Sequence, residues 1–245
     1  MPETPVIETF RDADDWASAS AVRLWEALSE GRKDPAQNGW AVFAGAGGST
    51  PSPIYRLLAP MCSVEDWQHT FVTLVDERYV PETSPDSNAA LIKRTLMTGN
   101  AAHAEFLPLY SPEVTVDRAA AVAARNLNIE LETRRLDAVL LGMGEDGHIC
   151  SMFPESPTLK TLLTPTLKPT VLGVPHGRDG LAPSLERLSI NLPYLMQARR
   201  VVLALTGKQK RAVFEREAAG NPAIQPIAAL IAANVPLDVL WTEKA

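Results

Sequence analysis

The stretch Leu136–Pro154, LDAVLLGMGEDGHICSMFP, decides the fold. Asp137 to Leu141 reads as an apolar, branched run of strand length that stops at Gly142 and Gly144. A run apolar on both faces is what a central parallel strand needs when helices cover both sides of its sheet. Glu145, Asp146 and His148 then stand at the strand's C-terminal end, the edge where open α/β sheets bind ligands. His148 is one of four histidines and the only one flanked by glycines and carboxylates. An imidazole, with a reference pKa of ~6.5, is largely neutral at working pH and suits a general base. A tight strand-to-loop turn whose histidine only bonds the backbone fits the same residues, so the local sequence leaves both readings open.

Outward from this stretch, the chain alternates strand and helix. Asp12 to Glu30 reads as a helix capped by Asp12 or Asp14 and ended by Gly31. Trp40–Ala44 reads as the first strand and runs into Gly45-Ala46-Gly47-Gly48-Ser49-Thr50-Pro51. There the glycines allow close backbone approach, and Pro51 suits the first turn of a helix through Leu58. Backbone N–H groups at such a turn, with the hydroxyls of Ser49 and Thr50, make a phosphate cradle. The alternative is a capping turn with Ser49 or Thr50 as N-cap. The lysine of a P-loop is missing, so nucleotide hydrolysis is not indicated.

Phe71–Val75 is the next strand, followed at once by Asp76-Glu77-Arg78. Arg78 offers a fork for phosphate or carboxylate oxygens. After an irregular loop at Pro81–Pro85, Ser87-Asn88 caps a helix through Met97. Thr115 to Arg135 reads as a long helix with solvated arginines. Beyond Pro154 the chain is proline-rich to Pro183, with short elements and a mobile tip at Gly177-Arg178-Asp179-Gly180. Arg187–Leu192, Arg200–Leu205 and Val235–Trp241 read as strands. Lys208, Lys210 and Arg211 follow Thr206-Gly207; lysines at a helix start oppose its dipole unless an anion is present. The alternation predicts one doubly wound, Rossmann-like α/β domain over residues 1–245, its sheet mostly parallel and flanked by helices. Polar clusters at residues 45–50, 76–78, 142–148 and 206–210 all fall at strand ends.

Composition excludes several classes. The 245 residues carry 46% apolar side chains and a net charge of −6, which opposes nucleic-acid or anionic-membrane binding. No apolar run approaches the ~20 residues of a membrane span, and the acidic, proline-broken N-terminus is not a secretory signal. Cys62 and Cys150 lack metal-ligand spacing and suit the reducing cytoplasm. His69, His103 and His176 are scattered, so no metal site is expected. Gly142, Gly144 and Gly147 match G-x-G-x-x-G, yet Pro154 and Pro157 interrupt the helix a dinucleotide site needs, and no acidic residue lies between Glu155 and Asp179 to hold a ribose hydroxyl. No G-x-S-x-G elbow surrounds Ser151.

GGSTP, DERYVP with Ser87-Asn88 after it, LGMGEDGHICSMFP, ERLSINL, TGKQK and the final LDVLWTEKA stand in the order and spacing of 6-phosphogluconolactonases. The chain resembles that family from Trp40 to its C-terminus, most specifically in DGH-x-x-S-x-FP. The family shares a superfamily, of NagB type, with glucosamine-6-phosphate deaminases. Those carry an FNEP-like segment with a catalytic glutamate where this chain has Phe153-Pro154, and DEY where it has Asp76-Glu77-Arg78. Met152 departs conservatively from the usual leucine.

The resemblance implies hydrolysis of 6-phospho-D-glucono-1,5-lactone to 6-phosphogluconate, with no cofactor or metal. His148 is then the expected base and Asp146 its partner. Gly47, Gly48, Ser49, Thr50, Asp76, Arg78, Arg187 and Lys210 are the expected substrate-binding residues. The expected partner is a small sugar-phosphate lactone, and the expected state a monomer or small homo-oligomer. A deaminase-like isomerase using Asp76, or a non-catalytic sugar-phosphate sensor, are the alternatives; the ~39 residues ahead of the first expected strand offer no basic recognition helix for a DNA-binding sensor.

Overall fold

The computed structural model describes residues 4–178 and 180–244. β1 (Ile7–Phe10) leads to α1 (Ala13–Lys33), and a short 3-10 turn at Pro35–Gln37 precedes β2 (Ala41–Gly45). α2 (Ser52–Leu58) and α3 (Val64–Gln68) return the chain to β3 (Thr70–Leu74), which is followed at once by β4 (Asp76–Arg78). α4 (Asn88–Thr95), β5 (Glu105–Phe106) and α5 (Val116–Leu131) deliver the chain to β6 (Ala138–Leu141). Next come α6 (Leu159–Leu162), β7 (Val171–Val174), β8 (Arg187–Ile190) and α7 (Leu192–Met196). β9 (Arg200–Thr206), α8 (Lys208–Ala218), α9 (Pro226–Ala232) and β10 (Leu237–Thr242) follow.

Seven strands form one sheet in the order β1-β10-β9-β6-β2-β3-β5, and every neighbouring pair is parallel. The fold is the doubly wound α/β arrangement that the alternation predicts. Chain order runs outward from β2 through β3 to β5, then restarts on the other side of β2 with β6, β9 and β10. The reversal falls between β2 and β6, the topological switch point at which such sheets open a crevice. All residues of β2, β3 and β6 are buried, since helices cover both faces. Each such Val or Leu contributes ~1.5–3 kcal/mol of burial.

Several elements differ from expectation for identifiable reasons. β1 was not expected: IETF is a short edge strand with two exposed residues, and its partner β10 lies at the far end of the chain. A strand therefore precedes the one expected first. The charged triplet Asp76-Glu77-Arg78 is itself a strand, in a second sheet ordered β4-β8-β7 with antiparallel pairing. Gly31 does not end α1, which continues to Lys33. A Cβ at Gly31 would lie 2.3 Å from the Asp137 carboxyl carbon, so this glycine admits a buried carboxylate to the helix surface. Asp12, not Asp14, is the N-cap, accepting from the Asp15 N–H at 2.8 Å. α5 stops at Leu131, and Arg134 beyond it is not solvated: its Nε donates to the Gln37 carbonyl. Asp179 of the expected tip lies outside the described residues.

Asp137, expected as part of the apolar run, is a fully buried carboxylate at the N-terminal end of β6. Its carboxylate accepts from Gln37 Nε2 at 2.5 Å, the Val42 N–H at 2.9 Å and Arg199 Nε at 3.1 Å. Arg199 also reaches Asp34, at 2.5 Å. This network ties α1, β2, β6 and the entrance to β9 together at the edge opposite the crevice.

Candidate active site

The crevice between β2 and β6 is a cleft of about 360 Å³. Every expected site residue lines it except Asp146, which stands behind His148. One wall is the loop after β2. Gly48 sits at φ +88°, a conformation that favours glycine. A Cβ at Gly47 would lie 1.8 Å from Asn88 Oδ1. Tyr55 Oη, held in the core, donates to the Ala46 carbonyl at 2.6 Å and fixes the start of the loop. The backbone N–H groups of Gly47, Gly48, Ser49 and Thr50 donate to no backbone carbonyl among the described residues, so they are free to bind an anion. Ser49 and Thr50 do not cap α2: no side chain bonds its first turn.

The facing wall is the loop after β6. The Gly144 N–H donates to the His148 carbonyl at 2.9 Å, folding the chain back on itself where a dinucleotide site would open a helix. The next helix begins only at Leu159. Within this turn His148 Nδ1 and Asp146 Oδ1 are 2.5 Å apart, and the His148 N–H donates to the same oxygen at 3.2 Å. An ionised carboxylate only accepts, so Nδ1 carries the proton and Nε2 is left as the basic nitrogen. Burial raises the Asp146 carboxyl, but the bond and charge of His148 outweigh it and hold Asp146 below the ordinary carboxylate range. A Cβ at Gly144 would lie 2.3 Å from the imidazole. The Phe153 ring packs against that imidazole with centroids 4.1 Å apart.

The floor comes from the small antiparallel sheet. Arg78 on β4 and Arg187 on β8 are cross-strand partners, and both line the cleft. Burial lowers the Arg187 pKa; Asp76 opposes this, at 3.9 Å, and Arg78 adds to it. Arg187 also lies over the Phe153 ring. Asp76 is buried and already engaged: it accepts from Ser151 Oγ at 2.6 Å and Asn88 Nδ2 at 3.2 Å. Ser151 is fully buried, does not line the cleft, and spends its hydroxyl proton on Asp76. Lys210, in the first turn of α8, completes the rim. Lys208 beside it is explained by an ion pair to Glu243 at 2.9 Å. Lys210 has no such pair among the described residues; burial lowers its pKa and Glu145 only partly opposes that.

Four positive or donor groups thus converge on a cleft that contains one oriented base. Sequence reading missed Asn88 as a cleft residue, taking it only for a helix cap, and did not single out Cys150, Phe153 or Ser184, which also line the cleft. Arg178 does not line it, whereas Ala182, Pro183 and Ser184 of the same loop do. Glu155 is exposed and lies outside it. Among the described residues no cluster of three or more His, Cys, Asp or Glu is placed to hold a metal ion.

Comparison with known proteins identifies the family. Residues 11–241 match the family described as Glucosamine-6-phosphate isomerases/6-phosphogluconolactonase. A 6-phosphogluconolactonase of Caulobacter vibrioides is 37% identical over 99% of this chain and 100% of its own. One of Mesorhizobium japonicum is 37% identical over 95% of this chain and 93% of its own. The crystal structure of a 6-phosphogluconolactonase from Shewanella baltica superposes with a TM-score of 0.86 at 29% identity, covering 99% of both chains.

Proposed function

The chain belongs to the glucosamine-6-phosphate isomerase/6-phosphogluconolactonase family, and from that membership we propose that it hydrolyses 6-phospho-D-glucono-1,5-lactone to 6-phosphogluconate in the oxidative pentose phosphate pathway. The observation that carries the reading is the oriented His148–Asp146 pair facing Arg78, Arg187, Lys210 and the free N–H groups of residues 47–50 across one cleft.

In this reading His148 Nε2 takes a proton from a water as the water oxygen bonds to the lactone carbonyl carbon. The tetrahedral intermediate collapses by breaking the bond to the ring oxygen, and the imidazolium returns the proton to that oxygen. Asp146 keeps the productive tautomer and stabilises the imidazolium. The three cations and the loop N–H groups neutralise the phosphate dianion and the developing oxyanion. A lactone is an activated ester, so one base, positioning and charge stabilisation suffice without a covalent nucleophile. Asp76 is a poor enolisation base, since its oxygens already accept from Ser151 and Asn88. That favours the lactonase over a deaminase-like isomerase. Two free, buried cysteines and no described helix long and apolar enough to cross a membrane fit a cytoplasmic enzyme.

The test is turnover. Freshly generated 6-phosphogluconolactone should be hydrolysed well above its spontaneous rate, while glucosamine 6-phosphate should release no ammonia. Deamination without lactone hydrolysis would overturn the proposal.

A further inference from the structure

A second cavity, of about 390 Å³, opens off the cleft between α2 and α4. Gly48, Ser49, Arg78 and Asn88 line both spaces, so the two share a wall. Among the described residues its wall carries three arginines, Arg56, Arg78 and Arg94, and no carboxylate. Among the described residues none of the three forms an ion pair. The neighbouring Lys93, by contrast, pairs with Glu82 at 2.7 Å. Arg78 donates to the Asp86 carbonyl, but its Nε is buried with no hydrogen-bond partner among the described residues. Ser49 and Ser52 add side chains at the same wall. Arg56 and Arg94 each stand in the last turn of a helix, where the dipole favours a cation. The dipole explains a cation on each helix; it does not explain why both border one acid-free cavity in a chain of net charge −6. Guanidinium forks with no carboxylate to bind are suited to phosphate oxygens.

We propose that this groove binds a second phosphorylated small anion, distinct from the lactone, held by Arg56 and Arg94 at its outer end and by Arg78 at the mouth it shares with the cleft. An occupant there touches Ser49 and Arg78 and so alters substrate affinity at the neighbouring site.

The proposal goes beyond lactone hydrolysis, and its first test is calorimetric titration with inorganic phosphate at low ionic strength, with lactone kinetics measured on the same variants. The native protein should take up two equivalents. Arg56→Ala/Arg94→Ala should lose one of them and keep kcat/KM for the lactone within about twofold. Arg187→Ala should lose the other equivalent and keep the groove's. Wild-type stoichiometry in the double variant would overturn the inference, as would uptake of a single equivalent that disappears in Arg187→Ala. A tenfold higher KM for the lactone in the double variant would also overturn it, assigning these arginines to the substrate's own phosphate.

Discussion

His148 is held from three directions: Asp146 binds Nδ1, Phe153 packs against the ring, and Gly144 leaves the space the ring occupies. Gly144→Ala should therefore displace the imidazole without unfolding the protein. Its kcat should fall ~10²-fold, the scale on which a displacement of about 1 Å acts, with circular dichroism unchanged; a kcat near wild type would refute the packing argument. Asp146→Asn should cost ~10²-fold in kcat as the tautomer is lost. It also has a signature in stability. The folded Asp146 pKa is depressed below the unfolded value of ~3.9. The pair's contribution is therefore complete above that value and is lost as pH falls through the folded pKa. A plot of Tm against pH should lose that acid-side segment in Asp146→Asn. At this scale the sequence was informative: His148, Asp146 and the four polar clusters that border the cleft were legible because each stands at the end of an apolar strand. Asn88 was not, because its cap position gave a sufficient local reason for it.

At the scale of elements, the loops at the cleft depend on a carboxylate that does no chemistry. Glu77 is fully buried on β4 and accepts from the N–H groups of Arg78 at 2.7 Å, Asn88 at 2.7 Å and Ala89 at 2.8 Å, and from Ser87 Oγ. It thus closes the N-terminus of α4 from another element, ten residues upstream. Burial raises its carboxyl pKa even so. Glu77→Ala should leave several buried donors unsatisfied, at ~1–3 kcal/mol each, for a loss of at least about 3 kcal/mol and so roughly 6 °C or more in Tm. A thermal melt within about 2 °C of wild type would contradict this. The sequence offered no sign of such a cap, since capping signals are read locally. The same limit hid β1 and the β4-β8-β7 sheet. Central strands announce themselves by two buried faces, whereas short edge and hairpin-like strands are specified by partners distant in sequence.

For the whole molecule, chemistry and anchoring lie at opposite ends of the same strands. The C-terminal ends of β2 and β6 carry the cleft; the N-terminal end of β6 carries Asp137 with Arg199 and Gln37. Arg199→Ala leaves a buried carboxylate uncompensated and should cost ~3–5 kcal/mol in urea denaturation at neutral pH. Activity per folded molecule should be retained. Burial holds the folded Asp137 carboxyl above its ordinary value. The deficit should therefore shrink as pH is lowered through that raised value, where protonation removes the unpaired charge. A deficit independent of pH would argue against an uncompensated charge. The doubly wound order was legible from alternation, and the shared strand-end position of four polar clusters pointed to one crevice. The anchoring network was not, because a single aspartate in an apolar run carries no sign of its distant arginine.

The most direct test of the central claim is kcat for 6-phosphogluconolactone hydrolysis in His148→Ala against wild type, with product-analogue binding measured alongside. Loss of kcat by ~10²–10⁴-fold with binding retained is the expected result for removal of a general base. Turnover that survives the substitution would remove His148 as the base and leave the cleft without its proposed chemistry.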